Sequence, residues 1–214
     1  MAEIIHVTYL FDPLCGWCYG ALAKLEQLAA RPDIQLHLVP TGLFAGVGGR
    51  LMDAEFAAFA WANDQRIGKL SGQAFSEDYR RKVLGDRTGS INSGPATLAL
   101  TAVSLTAPDR EFESLKAIQK ARYVEGRDIT NITVLGEILL GLGLVAAAER
   151  LAASDAELVA ANQKRIACAN ADMRKFGANG VPNLIVGLGD KRRLVAGGAL
   201  FESLDTLVEV LKAA

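Results

Sequence analysis

The sequence predicts an α/β fold in which a βαβ unit opens the chain, a ββα unit closes it, and a large all-helical insertion separates the second strand from the third. Two observations carry this expectation. Strand-like runs are confined to the two ends of the chain, while residues 53–176 show helical spacing almost throughout. An unstructured gap of that length is implausible inside a compact protein, so the middle must be a helical body of its own. The expected division is an α/β domain of residues 1–45 and 177–214, with residues 46–176 as an inserted helical subdomain. At 214 residues the chain suits one domain with such an insertion.

Residues 4–11 are rich in β-branched and aromatic types and read as a buried strand. Residues 21–30 carry Leu22, Leu25 and Leu28 at helical spacing among good helix formers. Between them lies Asp12-Pro13-Leu14-Cys15-Gly16-Trp17-Cys18-Tyr19-Gly20, so both cysteines fall where a strand turns into a helix. Pro13, with fixed φ and no amide hydrogen, suits the approach to a first turn. Pro32-Asp33 ends the helix, and residues 34–40 alternate as a second strand. A strand–helix–strand unit implies a parallel pair with a right-handed crossover. Gly42, Gly46, Gly48 and Gly49 then mark a flexible linker, which matches neither a dinucleotide fingerprint nor a phosphate loop.

Within the insertion, Asp53 is placed to cap a helix over 53–67, Ser76 opens a second, and Asn92 or Ser93 caps a third over 96–105 with Pro95 in its first turn. Residues 110–126 are helical up to Gly126. Asn131-Ile132-Thr133 has the form of a glycosylation acceptor but, with no signal peptide, is read as the start of a helix over 134–141. Residues 155–176 form the last helix of the run. Strand character returns after Gly177 and Gly180, with residues 183–187 and 193–196 antiparallel across a Gly189-Asp190 turn. A final helix carries Phe201, Leu204, Leu207, Val208 and Leu211 on one stripe.

The chemistry is concentrated at the first strand–helix junction. Helix N-termini present amide hydrogens without partners and favour negative charge, so a thiolate is favoured over a thiol at Cys15. Thiolates are the reactive species in disulfide exchange. Cys18, three residues on, shares a helix face with Cys15, so the two sulfurs can bond and the pair can cycle between dithiol and disulfide. Cys15 is expected to be the exposed nucleophile and Cys18 the shielded, resolving thiol. Gly16 and Trp17, between them, tune the potential.

These residues resemble the DsbA family of thioredoxin-fold proteins, in particular its cytoplasmic branch of protein-disulfide isomerases. The resemblance rests on Asp12 to Gly20 and on Thr41-Gly42-Leu43-Phe44, Leu70-Ser71-Gly72-Gln73-Ala74-Phe75, Asn92-Ser93-Gly94-Pro95-Ala96 and Gly180-Val181-Pro182-Asn183. It implies a thioredoxin fold, a thiol–disulfide oxidoreductase or isomerase acting through a mixed disulfide, and protein or peptide clients, with glutathione or a redox protein as a further partner. It also implies that Pro182 is cis and faces the cysteines, with the backbone of Val181 turned toward the client; the sequence alone says only that Pro182 starts a strand. One departure stands out. Many members carry a buried acid six residues before the first cysteine, and here that position is Tyr9, which leaves water or Asp12 to carry the resolving thiol's proton.

Phe56, Phe59 and Trp61 either belong to the core or line a groove for an unfolded client. Trp61, out of phase with the Phe56 stripe, is the one expected to face a groove. Cys168, in the last helix of the insertion, is either a free thiol without a role or a second redox group. His6 and His37 lack ligand-spaced partners, so no metal is expected, and the chemistry calls for no cofactor. Net charge of -1 gives no electrostatic case for nucleic acid or an anionic membrane. The longest uncharged apolar stretch, residues 138–148, is too short to span a bilayer. No basic segment precedes an apolar run at the N-terminus, and an odd cysteine count argues against a secreted disulfide framework; both point to the cytoplasm. Two other classes compete. Relatives of this fold act with glutathione as isomerases or transferases on small aromatic substrates, although these typically have serine at the first cysteine position. A non-catalytic client-binding chaperone module is the second.

Overall fold

The computed structural model describes residues 4–213; Met1 to Glu3, on which part of the N-terminal reading rests, and Ala214 lie outside the described residues. The main sheet has four strands in the order β2 (Ile34–Pro40), β1 (Ile5–Phe11), β5 (Asn183–Val186), β6 (Arg193–Ala196). β1 runs parallel to β2, with Ile5 opposite Ile34 and Phe11 opposite Pro40. It runs antiparallel to β5, with Val7 opposite Val186, and β5 is antiparallel to β6. The central strand is buried on both faces, which is why its sequence is an unbroken apolar run in its second half. Val7, Tyr9 and Phe11 join the main core, whereas Leu10 points the other way and packs with Ala169 and Ile185.

The βαβ helix is interrupted. α1 (Gly16–Gly20) ends at Ala21 and α2 (Leu22–Ala29) continues, burying Leu22, Leu25 and Leu28. At the break the Cys18 carbonyl accepts the Tyr9 hydroxyl at 3.2 Å, the kind of side-chain competition that interrupts a helical ladder.

The insertion contains α3 (Ala54–Ser71), α4 (Glu77–Tyr79), α5 (Gly94–Thr106), α6 (Glu111–Tyr123), α7 (Ile132–Gly141), α8 (Val145–Ala153) and α9 (Ala156–Phe176). Asp53 caps α3 through its side-chain oxygen, as expected, and Ser76, Asn131 and Asp155 do the same where their helices were expected to begin, whereas Ser93 heads α5 without a side-chain cap because its hydroxyl donates to Asp12. α5 is central: Ala96, Thr97, Ala99, Leu100, Thr101, Ala102 and Val103 are all buried, so it lacks the amphipathic pattern of its neighbours. Residues 138–148 are divided at Gly143 (φ +74), and α8 is a helix that the sequence reading does not anticipate. α10 (Leu204–Lys212) closes the chain and buries Leu207, Val208 and Leu211.

The glycine-rich segment after β2 is more than a linker. β3 (Arg50–Leu51) pairs with β4 (Ser90–Ile91) as a two-stranded ribbon, and the Ser93 amide bonds the Phe44 carbonyl at 3.1 Å. The insertion also grips the sheet from behind. Arg165 of α9 reaches the Leu38 carbonyl of β2 at 3.0 Å and pairs with Glu111 of α6 at 2.5 Å. Among the described residues, no helix is long and apolar enough to cross a membrane.

Candidate active site

Asp12 organises the turn that carries the cysteines. Its carboxyl accepts the Leu14 amide at 2.9 Å, the Phe44 amide at 3.1 Å and the Ser93 hydroxyl at 2.7 Å. Burial raises its pKa, while these three bonds and the charge of Arg122 act in the opposite direction. Helix α6 holds the same turn from the insertion side: Gln119 donates to the Pro13 carbonyl at 3.2 Å, and Tyr123 to the Leu14 carbonyl at 2.7 Å.

Cys15 caps α1, and its sulfur accepts the Cys18 amide at 3.4 Å. Its thiol also lies 3.6 Å from the Val181 carbonyl, to which it donates. The cysteines are unbonded. Cys15 is 8% exposed and Cys18 is 0% exposed, so any reagent meets Cys15 first. Burial pushes the Cys18 thiol pKa well up, and the neighbouring Cys15 sulfur adds to the effect. Tyr9, whose hydroxyl is likewise kept protonated by burial, stands in the core beneath the pair.

The Val181–Pro182 bond is cis, as the resemblance implies. Its loop is pinned by Asn183, which donates to the Gly180 carbonyl at 2.7 Å and accepts the Gly197 amide at 3.0 Å. Gly197 lies so close that an added Cβ would sit 1.9 Å from the Pro182 carbonyl oxygen, so only glycine fits there. Trp17 packs edge-on against Phe201, with ring centroids 5.2 Å apart.

A cavity of about 270 Å³ opens beside Cys15, between the motif and α3. Phe56 and Phe59 form part of its wall, and Asp64, Tyr79 and Arg122 add a polar side. Trp61 does not line it, contrary to its expected place facing a groove. The lining residues Phe56, Phe59, Ala60, Asn63, Asp64 and Ile67 recur at three- and four-residue spacing, and Trp61 lies off that stripe. Its ring instead sits 6.5 Å from that of Tyr79, with the Arg80 guanidinium 5.1 Å above it. The phenylalanine stripe itself faces the motif. Cys168 is exposed on α9 and does not line this cavity.

The polar side of the cavity is buried. Asp64 is 4% exposed, accepts the Tyr79 hydroxyl at 2.9 Å, and has its pKa pushed up to about 6 by burial, against the Tyr79 bond and the Arg122 charge. The Arg122 guanidinium lies beside the edge-on pair of Tyr79 and Tyr123 rings, 5.5 and 5.6 Å from their centroids, and its Nε has no hydrogen-bond partner among the described residues.

A redox-spaced cysteine pair at a strand–helix turn, faced by the carbonyl before a cis proline, is accompanied by a family match: the DSBA-like thioredoxin domain matches residues 6–212. The chain belongs to the DSBA-like thioredoxin family. It has the family's thiol–disulfide oxidoreductase fold, with the helical insertion between the second and third strands of the main sheet. Among solved structures it is similar to the cytosolic disulfide reductase DsbM from Pseudomonas aeruginosa, with 29% identity, a TM-score of 0.84 and 97% of each chain covered. A structure of that reductase with glutathione gives 30% identity, a TM-score of 0.82 and 97% coverage of each chain. A disulfide-isomerase candidate from Nitrosomonas europaea shares the fold, at 21% identity and a TM-score of 0.80, covering 98% of this chain and 96% of that one. No curated protein matches the chain in sequence.

Sequence reasoning located Cys15, Gly16, Trp17, Cys18, Val181 and Pro182, and the structure brings them together with Phe56 and Phe59. It missed Asp64, Tyr79 and Arg122. The signal for Asp64 was present but weak: a lone acid on the phenylalanine stripe of α3, at the spacing that returns it to the same face.

Proposed function

We propose that this protein is a glutathione-linked disulfide reductase of the cytoplasm, which opens disulfides of small thiols or peptides through Cys15 and Cys18. The observation that carries the reading is the asymmetry of the pair: Cys15 at the rim of a cavity beside the Val181 carbonyl, Cys18 sealed behind it. The similarity to a cytosolic reductase of which a glutathione structure exists supports the direction and the partner.

The Cys15 thiolate attacks one sulfur of the substrate disulfide. A Cys15–substrate bond forms, the substrate disulfide breaks, and the departing sulfur leaves with the electron pair and takes a proton. Cys18 then gives up its proton and attacks Cys15, closing the protein disulfide and releasing the second substrate thiol. Two molecules of glutathione restore the dithiol, the first forming a mixed disulfide at Cys15 and the second displacing it. The cost of ionising a buried Cys18 favours the state in which it is a thiol. Val181 pairs through its backbone with an extended substrate while Cys15 holds the sulfur, a role that the nearness of its carbonyl to Cys15 supports. Phe56 and Phe59 offer an apolar wall for the adjoining group.

The test is turnover of a glutathione mixed disulfide, coupled to reduction of the oxidised glutathione formed. Cys15→Ser is expected to abolish it, and Cys18→Ser to accumulate a covalent adduct on Cys15 detectable by mass. In a glutathione buffer at a cytosolic poise of about −220 to −320 mV the wild-type pair is expected to be mainly dithiol. A mainly oxidised pair under those conditions would refute the reductive direction. Full turnover by Cys18→Ser would remove Cys18 from the mechanism.

A further inference from the structure

Two buried carboxyls flank the cysteine turn, and their circumstances differ. Asp12 already accepts three hydrogen bonds, is 0% exposed and does not line the cavity beside Cys15. Asp64 comes from the insertion. One of its oxygens, Oδ2, is held by the Tyr79 hydroxyl. The other, Oδ1, lies against the Cα of Gly16: a Cβ built on Gly16 would be 2.3 Å from it. Asp64 therefore reaches the dipeptide between the two cysteines, and it lines the same cavity as Cys15. The groups that face it are Tyr79 from α4, Arg122 and Tyr123 from α6, and Cys15 at the head of α1.

We propose that Asp64 Oδ1 carries the proton of the small thiol that enters and leaves at Cys15, a role that Tyr9 of β1 cannot fill. The proposal rests on the thiol–disulfide reading above. Tyr9 is kept protonated and spends its hydroxyl on the Cys18 carbonyl. In re-reduction, the incoming thiol passes its proton to Asp64 as its sulfur bonds Cys15. The Cys15–Cys18 bond breaks, and the electron pair leaves on Cys18. Cys18 takes up one proton, which matches the one the small thiol lost. One S–S bond replaces another, with the small thiol oxidised to the mixed disulfide and the protein disulfide reduced. Gly16 is then glycine because the carboxyl occupies the space of its side chain.

This role has a kinetic signature. Unassisted exchange follows the thiolate fraction of the attacking thiol, so its rate rises tenfold per pH unit until that thiol ionises. Assisted exchange requires neutral thiol and ionised Asp64 together, so it rises through the Asp64 pKa of about 6 and then stays level. The experiment is single-turnover reduction of the oxidised protein by glutathione from pH 5 to 8, quenched with an alkylating reagent. Wild type is expected to level off above about pH 6. Asp64→Asn is expected to rise throughout and to be about tenfold slower at pH 7. Tyr79→Phe removes the hydroxyl that favours the carboxylate, so the plateau persists and its midpoint moves to higher pH. If Asp64→Asn does not fold, the Tyr79→Phe midpoint carries the test. A wild-type rate rising tenfold per unit, a plateau retained in Asp64→Asn, or an unmoved midpoint in Tyr79→Phe overturns the assignment. No exchange with glutathione in wild type overturns the glutathione-linked reading and this proposal with it, whereas exchange with the wrong pH profile overturns this proposal alone.

Discussion

Asp12 and Asp64 are both carboxyls withdrawn from solvent within a few residues' reach of the same cysteine pair, yet they belong to different kinds of structure. Asp12 sits in the α/β part and accepts three bonds: they tie the cysteine turn to Phe44 and to Ser93 at the head of α5. Asp64 projects from the insertion, with one bond to Tyr79 and a cavity beside it. Burial by itself does not mark a group as reactive. What separates the two is how many of their lone pairs are already committed.

The comparison is broken most severely at Asp12. Asp12→Ala strands two backbone amides and a hydroxyl, each buried donor costing about 1–3 kcal/mol when orphaned. A loss of roughly 3 kcal/mol or more in denaturant unfolding is expected, together with faster alkylation of Cys18 as the turn loosens. A loss below about 1 kcal/mol would show that the turn is held by α6 alone.

Asp64 should show the opposite sign. Its folded pKa, about 6, lies above the ordinary 3.8, so between these values the folded state binds more protons than the unfolded one. Stability contributed by the protonated acid is present below the unfolded value and is lost as pH rises through the folded one. A shift of about two units corresponds to roughly 3 kcal/mol at most. Asp12 and Glu111, raised in the same way, contribute in the same direction, and His37, lowered by burial, in the other. The difference between wild type and Asp64→Asn isolates the single group. The variant is expected to gain on wild type as pH rises from 4 to 7, measured by unfolding at each pH. A constant difference across that range would show that Asp64 ionises as it does in the unfolded chain.

The contact between the two regions is tested at Gly16. Gly16→Ala places a methyl against Asp64 Oδ1 and 3.3 Å from Ile67 Cδ1, which should cost about 1–3 kcal/mol by overpacking. Adding Asp64→Ala should recover part of that loss, so the two substitutions are coupled. Strict additivity would mean that the carboxyl swings aside freely. The smallest effect is expected at Phe59, which is 65% exposed at the cavity wall. Phe59→Ala should change stability by less than about 0.5 kcal/mol and raise KM for bulky disulfides more than for glutathione.

The sequence by itself determined the order of elements, because strand and helix spacing are local signals, and it determined the redox pair, because two cysteines three apart after a strand have few other uses. Asp53 was legible as a cap, and Ser76, Asn131 and Asp155 as helix starts, for the same reason: a cap acts on amides two or three residues away, whereas Ser93, expected with Asn92 as a cap, instead spends its hydroxyl on the distant Asp12. The α7–α8 break at Gly143 was obscured by a uniformly apolar stretch, and the two-residue ribbon of Arg50–Leu51 with Ser90–Ile91 is too short to leave a pattern. The side of α3 that meets the motif was decided only by tertiary structure. Helical spacing shows that Phe56, Phe59 and Asp64 share a face but not what that face is turned toward, so the sequence leaves Phe56, Phe59 and Trp61 all as groove candidates and favours Trp61, the one that does not line the cavity. The meeting of Asp64 with Gly16, 48 positions apart, depends on the packing of the insertion against the sheet. So do the bond from Ser93 to Asp12 and the placing of Arg122 against a pair of tyrosine rings, since long-range contacts of this kind leave no periodic trace in the chain that makes them.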